Sequence, residues 1–518
     1  MPDPTRYIMT YHRRPSRLRC MADNSTRPPM IERLGYRIAN AVERWMPSPF
    51  LFAVLLTYSV YGLALVLGQL GMIEQPGGGV AGPFALIELW FGGFWNFLAF
   101  AMQMTLILMT GFALAYHPRA NDLLVRLAKV PNSGGGAVVL VAVFSMAVAW
   151  IHWGFSLILG AIFAREMGKV AHQQGIDVHY PLLAVSGYMG LGLTWHWGLS
   201  GSAPLLLTDA SAVGEGTAFD MLDGPIAASE TILHGYGIAL TVLSIVFAAI
   251  VLYLITPSGA RSRGITEYIP ESELFDSAAD GGDAPSNAPD ASADLEGAGG
   301  SERSGRVPAE IIDNSRLLGG LLGLIGVAYV VSLFVEQGRG ALSLNVVNFG
   351  FLMAGVLIWT NPSAYRDKFG EAASAAAGII LLFPFFAGIQ GIMAGSGLAG
   401  GLADLLIGLS SPATFPVFAW LSAAVVNLFV PSGGGEWIVL GPSVLEAAIA
   451  QGIEPAHATM AYSVGDAHTN LLNPFWAIPL LAITRIRARE MFGYAVVMLL
   501  ALIPFLTLLL LLLPYGAF

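Results

Sequence analysis

The sequence predicts an all-α polytopic membrane protein, an inverted repeat of two five-element units with broken helices at the midplane. Three observations carry that prediction. The 518 residues are 55% hydrophobic and 12% charged, with a mean hydropathy of +0.65, far from the composition of a soluble domain. Apolar segments of about 20 residues, enough to cross a bilayer as helix, recur along the chain. With the N-terminus placed in the cytoplasm, 24 of the 25 Lys and Arg residues fall in cytoplasmic segments, and only Arg339 does not. That is the positive-inside pattern of a plasma-membrane protein.

Taken in order, residues 1–47 carry nine arginines and no apolar core, so they form a basic cytoplasmic segment and not a secretory signal. Met21 and Met30 are alternative starts. Residues 31–45 are expected to lie on the bilayer as an amphipathic helix, with Arg33, Arg37 and Arg44 towards the headgroups. The lone cysteine, Cys20, excludes a disulfide framework and a cysteine metal site.

The first repeat, 48–255, has spans at 48–68, 91–116, 181–207 and 233–255. Its remaining apolar segment, 135–164, is flanked by Arg119, Arg126 and Lys129 before and by Arg165 and Lys169 after. Both flanks belong inside, so 135–164 is expected to be a re-entrant hairpin. Residues 256–316 read as a disordered acidic cytoplasmic linker with a low-complexity core from Ser277 to Gly305. Residues 317–342 hold a connecting helix, with its span at 317–335. The second repeat, 343–518, has spans at 343–360, 372–398, 457–483 and 491–515. No Lys or Arg lies between Ala399 and Phe475, so its hairpin, 413–448, opens from outside. About nine membrane-spanning helices and two re-entrant hairpins result. Inverted repeats of this kind mark secondary transporters.

Four interruptions gather polar groups inside apolar segments. Two are hairpin tips, Trp150 to Ser156 and Pro431 to Trp437; two are broken helices, Thr194 to Pro204 and Gly465 to Asn470, with Asn473 and Pro474 close behind. Irregular backbone at this depth is tolerated only where protein or a water-filled cavity satisfies it. Candidate substrate contacts are Trp153, Gly154, Ser156, Ser200, Gly201, Ser202, Ser432, Gly433, Gly434, Gly435, Thr469, Asn470 and Asn473. Glycines and helix N-termini offer backbone amides to a small anion. With no Lys or Arg inside any proposed span or hairpin, the anion is expected to be singly charged. Trp153, Phe155, Trp195, Trp197, Phe475 and Trp476 are candidate walls for a short acyl chain.

Glu436, Asp466, His152, His196 and His468 are coupling-ion candidates, because intramembrane ionisable groups are costly and tend to be functional. Asp466, Thr469 and Asn470 could hold Na⁺, or either acid could carry a proton. Taken singly, each histidine reads better as a hydrogen-bonded core residue, and Ser200 to Ser202 also suit close helix packing. No nucleotide-binding loop is present, and nothing points to a nucleic-acid partner. Gly465-Asp466 has the form of half an aspartyl-protease dyad, but no second acid sits in a matching motif, so an enzyme is not expected. The remaining alternatives are a dicarboxylate symporter, a Na⁺/H⁺ antiporter and an ion channel.

The chain resembles the bacterial short-chain fatty acid transporter (AtoE-type) family within the larger ion-transporter superfamily. The likeness rests on Glu43 to Pro47, Gly93 to Met104, Trp153-Gly154-Phe155, Gly160 to Glu166, Ser200-Gly201-Ser202, Pro431 to Gly435 and Pro474 to Ala477. It implies uptake of monocarboxylates such as butyrate or acetoacetate, no cofactor beyond Na⁺, and a homodimer whose transport domain slides against a scaffold. In the family pattern asparagine is usual where His152 stands, Glu436 replaces a His or Gln, and the segment from Gly465 to Asn470 differs.

Overall fold

The computed structural model describes residues 49–76, 78–214, 217–257, 259–275, 308–428 and 432–517. The expected surface helix at 31–45, Cys20, the motif at 43–47, the linker core and Pro431 lie outside them. Within them the fold is helical, with one isolated β-bridge, Val213 to Phe219. Among the described residues, six helices are long and apolar enough to cross a membrane.

The chain starts with α1 (Pro49–Gln69), α2 (Pro83–Gly93) and α3 (Leu98–Ala115). The expected single span at 91–116 is thus two helices joined by a turn at 94–97. A short amphipathic helix not anticipated from sequence, α4 (Pro118–Ala128), follows, its first turn capped by the His117 side chain. Next come α5 (Gly134–Ile151) and α6 (Trp153–Gln174), which pack against each other. This hairpin runs ten residues beyond the expected end at 164, until Gly175 closes it in the left-handed conformation, φ 68°. At 18 residues, roughly 27 Å, α5 is itself of spanning length.

The first broken helix is α7 (Tyr180–Met189), a π-turn (Gly190–Thr194), a 3-10 turn (Trp195–Trp197) and, after a gap, α8 (Ser202–Leu206). The span α9 (Gly235–Leu254) completes this half.

The linker expectation needs correction at its start. Residues 259–275 fold over one end of the helices as two 3-10 turns and α10 (Glu271–Phe275), because Ile265, Ile269 and Leu274 have apolar surface to bury. The Arg263 N–H donates to His179 Nδ1 at 3.1 Å, and Tyr180 N–H donates to the Arg263 carbonyl at 2.8 Å. Burial, then the Arg263 charge, push His179 down to about 4, so it is a neutral acceptor. Arg485 pairs with Glu273, and Arg263 with Glu490 at 3.5 Å, tying this strap to the far end of the chain.

After α11 (Pro308–Asp313), the connecting helix α12 (Arg316–Gln337) buries only Gly319, Gly323 and Gly326, a small-residue face against α13 (Leu344–Trp359). The 35-residue α14 (Pro362–Ser396) starts ten residues before the expected span, since the Asn361 side chain caps Ser363 and Ala364 and Pro362 suits the first turn. A second unanticipated helix, α15 (Leu398–Leu409), leads into the second hairpin, α16 (Phe415–Asn427) and α17 (Gly433–Ala450). The second broken helix, α18 (Pro455–Thr469) and α19 (Pro474–Thr484), opens at 470–473, later than the expected break at Gly465 to Asn470. Pro474 has no N–H to continue the ladder, so the break falls against it. The final span is α20 (Ala488–Leu512).

Candidate functional site

The tip of the second hairpin is built on an N-cap. Ser432 has extended backbone, and its Oγ accepts the Gly435 N–H at 3.3 Å. The three glycines that follow allow neighbours to close on bare backbone. A Cβ at Gly433 would lie 2.6 Å from the Trp195 ring, 2.8 Å from His196 Cε1 and 2.9 Å from Asp466 Oδ2. A Cβ at Gly434 would meet Phe100 and Phe383 at 3.0 Å, and Gly435 abuts Phe386. The start of α17 therefore sits where the first broken helix, α18 and the α3–α14 pair converge.

Five ionisable or hydroxyl groups meet behind that tip, all buried. His196 Nδ1 lies 2.5 Å from Asp466 Oδ2. His196 Nε2 accepts the Ala203 N–H at 3.2 Å and meets Ser202 Oγ at 2.9 Å. The Tyr462 hydroxyl donates to Glu436 Oε1 at 2.6 Å. Tyr462 and Asp466 stand four apart on α18, one above the other on the same face, so the Glu436 and Asp466 carboxyls interact. Among the described residues, Glu436 Oε2, both Asp466 carboxyl oxygens and His196 Nδ1 have no hydrogen-bond partner.

Beside this cluster, Asn427 at the end of α16 directs Nδ2 at the Asp466 carbonyl (2.7 Å), Thr469 Oγ1 (3.0 Å) and Asn470 Oδ1 (3.0 Å). Thr469 and Asn470 thus turn to an amide, while the Asp466 carboxylate turns the other way, to His196. The three do not point side-chain oxygens at one spot. Asn470 also donates to the Leu191 carbonyl (3.1 Å), and the Tyr188 hydroxyl donates to the Asn470 (3.1 Å) and Asn473 (3.3 Å) carbonyls, stitching the two broken helices together.

The first tip is built differently. His152 alone separates α5 from α6; its Nδ1 accepts the Phe155 N–H at 3.1 Å and its Nε2 meets Thr110 Oγ1 at 3.4 Å. The Trp153 N–H donates to Ser200 Oγ at 2.9 Å, and Ser156 Oγ donates to the Ser145 carbonyl at 2.8 Å. Gly154 lies close to α3, where a Cβ would be 3.0 Å from the Ile107 carbonyl. Trp153 stands edge-on to Trp195 and to Trp476, centroids 5.9 and 5.5 Å away.

The sequence candidates therefore separate. Ser432 to Glu436, His196, Ser202 and Asp466 come together. Ser200, Gly201, Trp153, Gly154 and Ser156 form the adjoining joint between the first tip and its broken helix. His468 turns away to the Leu499 carbonyl, 3.0 Å. Trp197 is packing, not a wall, with its indole N–H on Thr241 Oγ1 at 3.1 Å. The Phe475 side chain lies outside the described residues. Sequence reasoning missed Asn427 and Tyr462, although each left a signal: a lone amide one turn before the tip, and a phenol four residues before Asp466.

A cavity of about 1060 Å³ opens near this site. Glu74, Glu88, Asp209, Asp220, Asp404 and Glu446 line it, with no Lys or Arg, together with Phe97, Phe100 and Gln103. Phe100 is the ring that faces Gly434.

A family profile described as Short chain fatty acid transporter matches residues 30–513. Two relatives carry the same family name. One, from Escherichia coli (strain K12), is 36% identical over 91% of this chain and 97% of its own. The other, from Haemophilus influenzae, is 32% identical over 92% of this chain and 98% of its own. Among solved structures, the Alcanivorax borkumensis YdaH transporter aligns at TM-score 0.57 and 18% identity, covering 89% of this chain and 98% of that one. Neisseria gonorrhoeae MtrF, described as one of a class of antimetabolite efflux pumps, aligns at 0.53 and 15%, covering 91% and 97%. At such identities these two speak for the fold alone.

Proposed function

The chain belongs to the short-chain fatty acid transporter family, and on that premise we propose that it carries monocarboxylates such as butyrate or acetoacetate with a coupling cation, binding them at the second tip. The observation that carries the reading is the convergence on Gly433 of Trp195, His196 and Asp466. A small carboxylate there meets the amides of the first turn of α17, whose partial positive charge suits it. The described elements around the site contribute no guanidinium or ammonium group, so a second carboxylate on the substrate would go unpaired in a dry site. That favours monocarboxylates over dicarboxylates. Trp153, Trp195 and Trp476 offer an apolar wall for the acyl chain.

Transport between two sides needs the site to face each in turn. The two hairpins and two broken helices are joined through Ser200, Asn427, Asn470 and Tyr188, as a body that moves together must be. We read them as the mobile part of an elevator, with the two hairpins re-entrant and related by an inverted repeat. The helices α1, α2 and α12 to α15 are read as the scaffold, held in a homodimer in the plasma membrane with the N-terminus inside.

The reading is tested by counterflow of labelled butyrate, acetoacetate and succinate in proteoliposomes. Exchange of the first two, without succinate, is expected. Succinate preference, or ion flux with no carboxylate exchange, would replace the reading with a dicarboxylate carrier or an ion antiporter.

A further inference from the structure

The interior of the site poses a problem that the monocarboxylate reading alone leaves unsolved. A carboxylate is to be bound beside Glu436 and Asp466, and no fixed positive charge stands near to balance three acids. The groups facing the acid pair are few. From the first broken helix comes His196; from α18, Tyr462; from α3 and α14, the uncharged rings of Phe100 and Phe386 against the tip. His468 faces Leu499 instead.

His196 does not supply the charge. The Ala203 backbone N–H donates to its Nε2, and an amide cannot accept in return, so Nε2 carries no proton. With Nε2 an acceptor, the ring's proton is on Nδ1, which lies 2.5 Å from Asp466 Oδ2 without the alignment of a hydrogen bond. Tyr462 gives its one proton to Glu436 Oε1. Glu436 Oε2 and both Asp466 oxygens then remain as acceptors without a hydrogen-bond donor, on two carboxyls that interact. Adjacent carboxylates away from water do not both stay ionised; a shared proton is the arrangement that satisfies them.

Resting on the monocarboxylate reading above, we propose that the substrate carboxylate is recognised by a protonated carboxyl of the Glu436–Asp466 pair, so that one proton crosses with each anion. The step balances simply. A proton from the outer solution forms an O–H bond on one carboxylate, and that O–H donates to the incoming anion. On the inner side the same O–H bond breaks and the proton leaves to water with the anion. His196 is a positioning residue: its ring packs against Asp466, Nδ1 beside Oδ2, and takes no part in carrying charge.

The acid-lined cavity beside Phe100 bears on the same point independently. Six carboxylates line it, with no base among its lining residues. Such a potential depletes anions and enriches protons by the same Boltzmann factor. For an anion taken alone this is a loss; for an anion taken with one proton, the two factors cancel.

The test uses the full-length protein in proteoliposomes and labelled acetoacetate, a stronger acid that leaks through lipid less than butyrate, with protein-free vesicles as background. Wild type is expected to accumulate acetoacetate on an inward proton gradient and to ignore a Na⁺ gradient. In Glu436→Gln the amide still donates but cannot release a proton. Gradient-driven uptake should fall by about tenfold or more, while counterflow persists at a reduced rate that no longer changes with pH. His196→Gln should lower uptake yet keep its pH dependence. Accumulation on a Na⁺ gradient, or undiminished proton-driven uptake by both Glu436→Gln and Asp466→Asn, would overturn the proton proposal alone. Absence of acetoacetate counterflow in wild type would overturn it together with the monocarboxylate reading.

Discussion

At both hairpin tips a side chain caps the helix that follows by accepting the amide three residues on: His152 takes Phe155 N–H, and Ser432 takes Gly435 N–H. What comes next differs. After His152 stand Trp153, Gly154 and Phe155, and the Trp153 N–H is already given to Ser200. After Ser432 stand three glycines and a buried acid, and the Gly433 backbone faces His196 and Asp466 with no side chain between. The first tip has spent its polar groups on holding its own broken helix. The second keeps bare backbone and unpaired carboxyl oxygens where the two halves of the chain meet. One tip is read as a joint and the other as the binding face.

That contrast can be broken by substitution. The largest effect is expected at Asp466: Asp466→Asn loses the negative partner of His196 and should cut uptake about a hundredfold or more with membrane insertion intact. Ser432→Ala removes the cap of the binding tip, worth ~1 kcal/mol, and should lower uptake about tenfold in transport assays at matched protein. His152→Ala should act on the fold instead, destabilising by about 1–2 kcal/mol in thermal unfolding, with uptake per folded molecule within about threefold of wild type. Asparagine caps well, so His152→Asn should recover the stability. His468→Phe, next to a carbonyl on α20 and remote from the cluster, is expected to change uptake less than about twofold. Equal losses at Ser432 and His152 would erase the distinction between the tips.

Much of this organisation was legible in the sequence, and the misses have physical causes. Hydropathy located the long spans, and both apolar segments singled out as irregular, 135–164 and 413–448, fold as pairs of helices. Glycine and proline runs marked the tips. Boundaries failed where helix continues into polar sequence: Arg165 to Gln174 extends α6, and Pro362 to Glu371 begins α14. The strap at 259–275 was missed because its buried apolar residues, Ile265, Ile269 and Leu274, are spaced among polar ones and too few to raise local hydropathy. Within the site, the acids and serines could be named individually. Their pairing could not, since Glu436 with Tyr462 and His196 with Asp466 are contacts across 26 and 270 positions of sequence. Asp466 was grouped with its chain neighbours Thr469 and Asn470, whereas its carboxylate turns to the other broken helix.

The most direct test of the binding face compares one residue from each tip in labelled-butyrate counterflow at matched protein. A Cβ at Gly433 would press on Trp195, His196 and Asp466, so Gly433→Ala should cut exchange at least about tenfold while His152→Asn retains it. Retained exchange in Gly433→Ala together with its loss in His152→Asn would place the substrate at the first tip and contradict this account.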